Sequence, residues 1–301
     1  IPMSEKVSEP IGSMGDDTPL AFLSSMNRKF YDFFKQQFAQ VTNPPIDSLR
    51  EKSVMSLLKY LGSENNLLND VPTHKTAIKI SSPILSPDEI LELNKHEGWF
   101  PNKVINCLLG IDEALDEKIR NINTIAEEYV AKGNKIIFLS DVEIIDRHFA
   151  IPMPLIVSAL HNHLVEKKLR SKVSIICVSG DAIQDHHFAV LTALGASAVY
   201  PIGAYTIIFK QYSKNNYQEK MVNYRHSIEK GLLKIMSKMG ISTFTSYHGS
   251  MLLHSIGLGE RLSKEYFPSL PSPFGGIEID YIEDTIKKRQ QLGSDEKDIL
   301  K

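Results

Sequence analysis

Between residues 76 and 212, short and wholly apolar runs alternate with longer amphipathic ones, and this alternation leaves few folds open to the chain. Residues 104–109, 135–139, 173–178 and 198–200 read as strands. Residues 113–131, 153–169 and 184–194 read as helices, with stops at Gly133 and Gly195 and a start at Pro152 and Pro154. Strands that are apolar throughout must be covered on both faces, so the pattern calls for a parallel sheet with helices packed against it. About four such βα units fit, half of a full (β/α)₈ barrel. The expected class is therefore α/β: a partial or degenerate (β/α)₈-barrel-like parallel sheet with added helical N- and C-terminal segments. Small and polar residues follow the strands, namely Ser140-Asp141, Ser179-Gly180-Asp181 and Pro201. In βα folds that end of the sheet faces the site.

Both flanks read as helical. In residues 1–75, Thr18-Pro19 is a helix-start signal. Phe30, Phe33, Phe34 and Phe38 recur at helical spacing. The aromatic run stops at Pro44-Pro45, where neither residue can donate a backbone hydrogen bond, so Thr42-Asn43-Pro44-Pro45 reads as a stiff extended corner between two helices. Asp47 can cap the second helix, which would run through Leu49, Val54, Leu57, Leu58 and Leu61 to a stop at Gly62. In residues 213–301 a long helix is expected over 217–239, followed by a Pro/Gly loop and a charged tail that begins as helix. The three parts, 1–75, 76–212 and 213–301, read as segments of one intertwined unit.

A net charge of -2 gives no electrostatic footprint for nucleic acid or an anionic membrane. No apolar run approaches the ~18–20 residues a membrane span requires. The N-terminus lacks the layout of a signal peptide, and nothing points to secretion. Opening on Ile1, the sequence reads as a segment cut from a longer polypeptide. The two cysteines, Cys107 and Cys177, sit in strand-like runs and read as buried thiols rather than a disulfide.

The chemistry-bearing residues form no familiar catalytic set. His161 and His163 stand about 200° apart on one helix and cannot share a metal. His186 and His187 also diverge, and no thiolate cluster accompanies them. Ser179-Gly180-Asp181 could open a helix toward an anion, but a single glycine is a weak phosphate signature, and turn chemistry with Asp181 as cap is the preferred reading. Lys230, Lys234 and Lys238 form a stripe on the long helix, either a solvated face or a docking surface. Gly231 costs that helix about 1 kcal/mol against Ala, and close approach of another backbone would explain it.

Several blocks resemble the central domain of the glutamate synthase large subunit, in that family's order. They are 12–21, 37–51 with the Gln-Phe-Ala-Gln-Val-Thr-Asn-Pro-Pro-Ile-Asp run, Ser179-Gly180 with His186-His187-Phe188, 194–199, and 230–243 with Ser246-Tyr247. The resemblance implies an enzyme that converts glutamine and 2-oxoglutarate into two glutamates. It implies an amidotransferase domain and an FMN barrel with a three-iron (3Fe-4S) cluster elsewhere in the polypeptide. Electrons would come from a ferredoxin or a small donor subunit, in the cytoplasm or an organelle stroma or matrix. The central domain itself carries no catalytic residue, no cofactor and no metal. It joins the other two domains and helps wall an ammonia tunnel, whose loop maps onto Thr42, Asn43, Pro44 and Pro45. Directly from the residues, two cysteines cannot supply three cluster thiolates, and there is no N-terminal cysteine.

The sequence departs from the family pattern at strand ends. Ser140-Asp141-Val142-Glu143 stands for Ser-Asp-Arg-Gly, Ser246-Tyr247-His248-Gly249-Ser250 for Ser-Tyr-Arg-Gly-Ala, and Val199-Tyr200-Pro201-Ile202 for Val-Asn-Pro-Tyr. Losing an arginine removes a fixed five-donor fork. The rival reading is a freestanding βα enzyme or ligand-binding domain, with its site near Asp141, Asp181 and His186.

Overall fold

The computed structural model describes residues 2–8, 18–25, 28–38, 44–47, 49–64, 77–95, 100–142, 148–212 and 216–294. In the first part lie α1 (Pro2–Lys6), β1 (Phe34–Gln36), α2 (Glu51–Val54), β2 (Lys59–Gly62) and β3 (Ala77–Ile80). The middle part holds α3 (Pro87–Lys95), β4 (Asn102–Asn106), β5 (Leu108–Gly110), α4 (Leu115–Ala131), β6 (Ile136–Ser140), β7 (His148–Ala150), α5 (Met153–Glu166), β8 (Ser174–Val178), α6 (Asp185–Ala193), β9 (Ala198–Tyr200) and α7 (Ile202–Tyr212). There follow α8 (Tyr217–Lys238), α9 (Phe244–Tyr247), β10 (Leu253–Ser255), α10 (Glu260–Tyr266) and α11 (Ile279–Ser294).

The centre is a parallel sheet in the order β4-β6-β8-β9. Successive strands lie side by side with a helix between them, the arrangement of a barrel arc. Ile84 continues the arc beside β9, where Leu85 N donates to Val199 O at 2.9 Å and Val199 N to Pro83 O at 2.8 Å. Alternation along the strands splits the side chains between two cores. Ile137, Leu139, Ile175, Cys177 and Val199 join the main core with α4, α5 and α6. Ile136, Phe138, Ile176 and Ala198 join a second core with Leu61, Ile80, Leu85 and Leu93. The β2–β3 hairpin and α3 supply that second cover. Arg225 on α8 reaches both carboxylate oxygens of Glu89 on α3 at 3.0 and 3.1 Å, tying the last part to the middle. Among the described residues no helix is long and apolar enough to cross a membrane.

The expected βα elements are present with one change, and α3, β7 and α7, which the sequence pattern did not indicate, are added. The expected strand over 104–109 breaks at Cys107, because the Asn106 side chain accepts from Leu108 N at 2.9 Å and turns the chain. Beyond the break, β5 pairs with β7 instead of the main sheet.

The N-terminal part differs more. Thr18-Pro19 leads only to a single 3-10 turn, Ala21–Leu23. The aromatic run is a 3-10 turn, Phe30–Phe33, passing into β1, which pairs antiparallel with β10. The spacing of Phe30, Phe33 and Phe34 suits a 3-10 turn as well as an α-helix, and pairing more than 200 residues away decides between them. Asp47 does receive Leu49 N on its side chain at 2.9 Å, but the helix that follows is only α2. The chain turns extended at Met55, and Lys59–Gly62 pairs with β3, so Leu57, Leu58 and Leu61 are not helical. The proline corner is therefore not a joint between two helices.

Candidate functional site

The C-terminal ends of β6 and β8 meet at Asp141. Its carboxylate accepts from Ser179 Oγ at 2.9 Å and from Gly180 N at 2.7 Å, and only 5% of the residue is exposed. Burial pushes its pKa up to about 6, against the opposing pull of those two hydrogen bonds. The turn that holds it is sterically fixed, since a Cβ on Gly203 would collide with the Gly180 carbonyl. Asp181 pairs at 2.5 Å with Lys29, whose ammonium also donates to the Asp181 carbonyl at 3.2 Å.

The segment that supplies Lys29 also closes the sheet end. Tyr31 is 1% exposed and stacks on His187 with ring centroids 4.2 Å apart. Its hydroxyl approaches Ser179 without making a well-formed hydrogen bond. Burial raises its pKa far above the usual phenol value, and the Asp181 charge adds to this. His187 Nδ1 accepts from Ile183 N at 3.1 Å and from Gln184 N at 3.4 Å, and burial lowers its pKa to about 3. His186 Nε2 donates to the Tyr31 carbonyl at 3.1 Å, and burial lowers its pKa too. Asp141, Asp181, His186 and His187 are thus brought together, as strand-end reasoning expects. Asp141 and His187 spend their hydrogen bonds on this turn, whereas the Asp181 side chain stays partly exposed beside Lys29. A buried phenol, Tyr31, lies against the His187 ring at this strand end.

At the opposite end of β8 a second polar cluster forms. Arg170 donates to Val173 O at 2.6 Å, Gly195 O at 2.7 Å and His161 Nδ1 at 3.1 Å. His248 Nε2 sits 3.0 Å from Gly195 O, and its Nδ1 lies 3.4 Å from the ammonium of Lys59, a residue only 5% exposed. The same Nε2 also lies 3.1 Å from Arg170 Nη2, so it faces both a carbonyl and a guanidinium donor. Burial lowers the pKa of Arg170 to about 10 and of His161 to about 4, and lowers those of Lys59 and His248 as well. An arginine at 248 would press a third cation into this space; a neutral imidazole fits. Sequence reasoning missed Lys59 and Arg170, because both lie in lysine- and serine-rich stretches that look solvated.

The remaining sequence candidates are placed as follows. Thr42 and Asn43 lie outside the described residues. Pro44 and Pro45 are exposed, and Ile46 N donates to Ser237 O at 2.7 Å, fastening the corner to the end of α8. His163 turns to Glu127 at 2.9 Å, away from His161. Cys107 and Cys177 are free and buried, and burial pushes both thiol pKa values up. Among the described residues no three His, Cys, Asp or Glu side chains converge as a metal site. Lys230 donates to Val7 O at 2.8 Å and so helps dock α1. At Gly231 it is a side chain, Asp185 at the start of α6, that leaves no room for a Cβ.

The glutamate synthase central domain family matches residues 1–259. The chain is 38% identical to the NADPH glutamate synthase large chain of Bacillus subtilis, over 97% of this chain and 19% of that one. It is 40% identical to the ferredoxin-dependent glutamate synthase of Antithamnion sp., over 95% and 20% respectively. It thus spans about a fifth of these relatives' length. Flavocytochrome b2 with sulfite bound is similar at TM-score 0.39 and 16% identity, over 68% of this chain and 45% of that one, too distant to argue from. Family match and relatives agree, and the chain belongs to the glutamate synthase central domain family.

Proposed function

We propose that the chain serves as the non-catalytic central domain of a glutamate synthase that forms two glutamates from glutamine and 2-oxoglutarate. The observation that carries this reading is the Tyr31–His187 stack, which fills the strand ends where a barrel enzyme would bind substrate. FMN and a 3Fe-4S cluster would belong to a neighbouring domain of the same polypeptide, fed by ferredoxin or a small donor subunit. The chain joins that domain to the amidotransferase domain. Thr42, Asn43, Pro44 and Pro45 border the ammonia path, a role supported by two exposed prolines anchored through Ile46 to α8.

A chimera tests this. The chain replaces the matching segment of the Bacillus subtilis large chain, and glutamate formed per glutamine consumed is measured. The expected ratio is that of the parent. A bulky residue in place of Asn43 should lower the ratio while glutamine hydrolysis persists. A folded chimera that hydrolyses glutamine but makes no glutamate would refute the reading.

A further inference from the structure

We propose that the outer edge of β4 takes an added strand from another part of the same polypeptide. The two edges of the parallel sheet differ. Beyond β9 the sheet continues through Ile84, flanked by two backbone bonds to Val199. Beyond β4 no strand follows among the described residues. Cys107 N donates to Ser140 O at 2.7 Å and Ile136 N to Pro101 O at 3.3 Å, so Lys103 and Ile105, in phase with these, turn their backbone groups to β6. By alternation, the N–H and C=O groups of Asn102, Val104 and Asn106 point outward, as a row of donors and acceptors with which an incoming strand can pair.

The side chains show the same gap. Val104, Phe138, Ile176 and Ala198 form one row across the sheet. The last three are at most 3% exposed beneath the β2–β3 hairpin and α3, whereas Val104 is 58% exposed. On the opposite face the row Ile105, Leu139, Cys177 and Val199 is buried throughout, so cover is missing on one face only. A β-branched or aromatic residue opposite Val104 would complete the row. The edge is short, five residues or about 17 Å. Pairing there cannot by itself bury the ~1,200–2,000 Å² that holds separate chains together. A tethered segment avoids most of the entropy loss of association. This chain spans about a fifth of its relatives' length, which leaves ample polypeptide to supply such a segment. The inference therefore rests on the central-domain reading above.

Hydrogen exchange, read by mass spectrometry with residue-level fragmentation, tests this on the 301-residue chain and on the Bacillus subtilis large-chain chimera. The amides of Asn102, Val104 and Asn106 should exchange at least about tenfold more slowly in the chimera. Those of Lys103 and Ile105, already bonded to β6, should be slow in both. Val104→Pro removes only an outward N–H, which an edge strand tolerates. The isolated chain should keep its melting temperature with this change, while the chimera loses the added protection at Asn102 and Asn106. The inference is overturned if a folded chimera exchanges these amides as fast as the isolated chain, or if the isolated chain protects them equally. Protection that grows with the concentration of the isolated chain would assign the edge to a second copy instead and overturn it too. Glutamate formed per glutamine is read separately on the same chimera, so this inference and the central-domain reading fail independently.

Discussion

The two ends of the parallel sheet solve the problem of buried charge in opposite ways. At the C-terminal end a carboxylate, Asp141, is wrapped by donors from one turn, and a phenol–imidazole stack seals it in. At the N-terminal end two cations, Lys59 and Arg170, are wrapped by carbonyls and neutral imidazoles. In barrel enzymes the first end is the working face and the second a stability face. Here both ends hold buried polar groups by contacts within the protein. Closing the working face needed only an upstream segment to deliver Lys29 and Tyr31.

Truncating the plug should have the largest effect. Tyr31→Ala removes a fully buried aromatic and should cost about 3–5 kcal/mol in urea unfolding. Tyr31→Phe deletes only a poorly partnered hydroxyl and should be near neutral or stabilising. If Tyr31→Phe cost as much as Tyr31→Ala, the hydroxyl rather than the stack would be holding the sheet end.

Arg170→Met attacks the other end. It strands the carbonyls of Val173 and Gly195, and equilibrium unfolding should register a loss of about 2–4 kcal/mol. A loss below that of an exposed substitution would mean that water takes over the carbonyls and the end is not dry.

The ends should also respond oppositely to acid. Asp141 has a raised pKa in the folded state, about 6 against 3.8. Its contribution is fully present below pH 4 and is lost as pH rises through 6, on the order of 3 kcal/mol in total. Asp141→Asn should therefore match the parent at pH 4 and exceed it by up to about that amount at pH 7.5. His161 has a lowered pKa, about 4 against 6.5, so its contribution is present above 6.5 and is lost as pH falls through 4. His186, His187 and His248 share that direction, so acid should destabilise the parent overall despite Asp141. Denaturation midpoints from pH 4 to 8 check both slopes. The smallest effect belongs to Lys29→Met, which breaks a partly exposed ion pair and should change stability by no more than about 1 kcal/mol.

The contrast also marks where sequence reading succeeds. The βα core was legible because each strand is apolar on both faces and glycines such as Gly133 and Gly195 close the helices in left-handed conformations. Asp141, Asp181 and His186 were legible as a group because they follow strands. Lys29, Tyr31, Lys59 and Arg170 were not, because each reaches its place through non-local packing. The same cause hid β1 and β2, whose partners cannot be inferred from their own short patterns.

The central claim is that the barrel-like working face is filled by the protein itself. Titrating the 301-residue chain with FMN, followed by flavin absorbance in the blue and fluorescence quenching, tests it most directly. The account predicts no saturable binding, with Tyr31 and His187 left in contact. Stoichiometric FMN binding that displaces the Tyr31–His187 stack would contradict it.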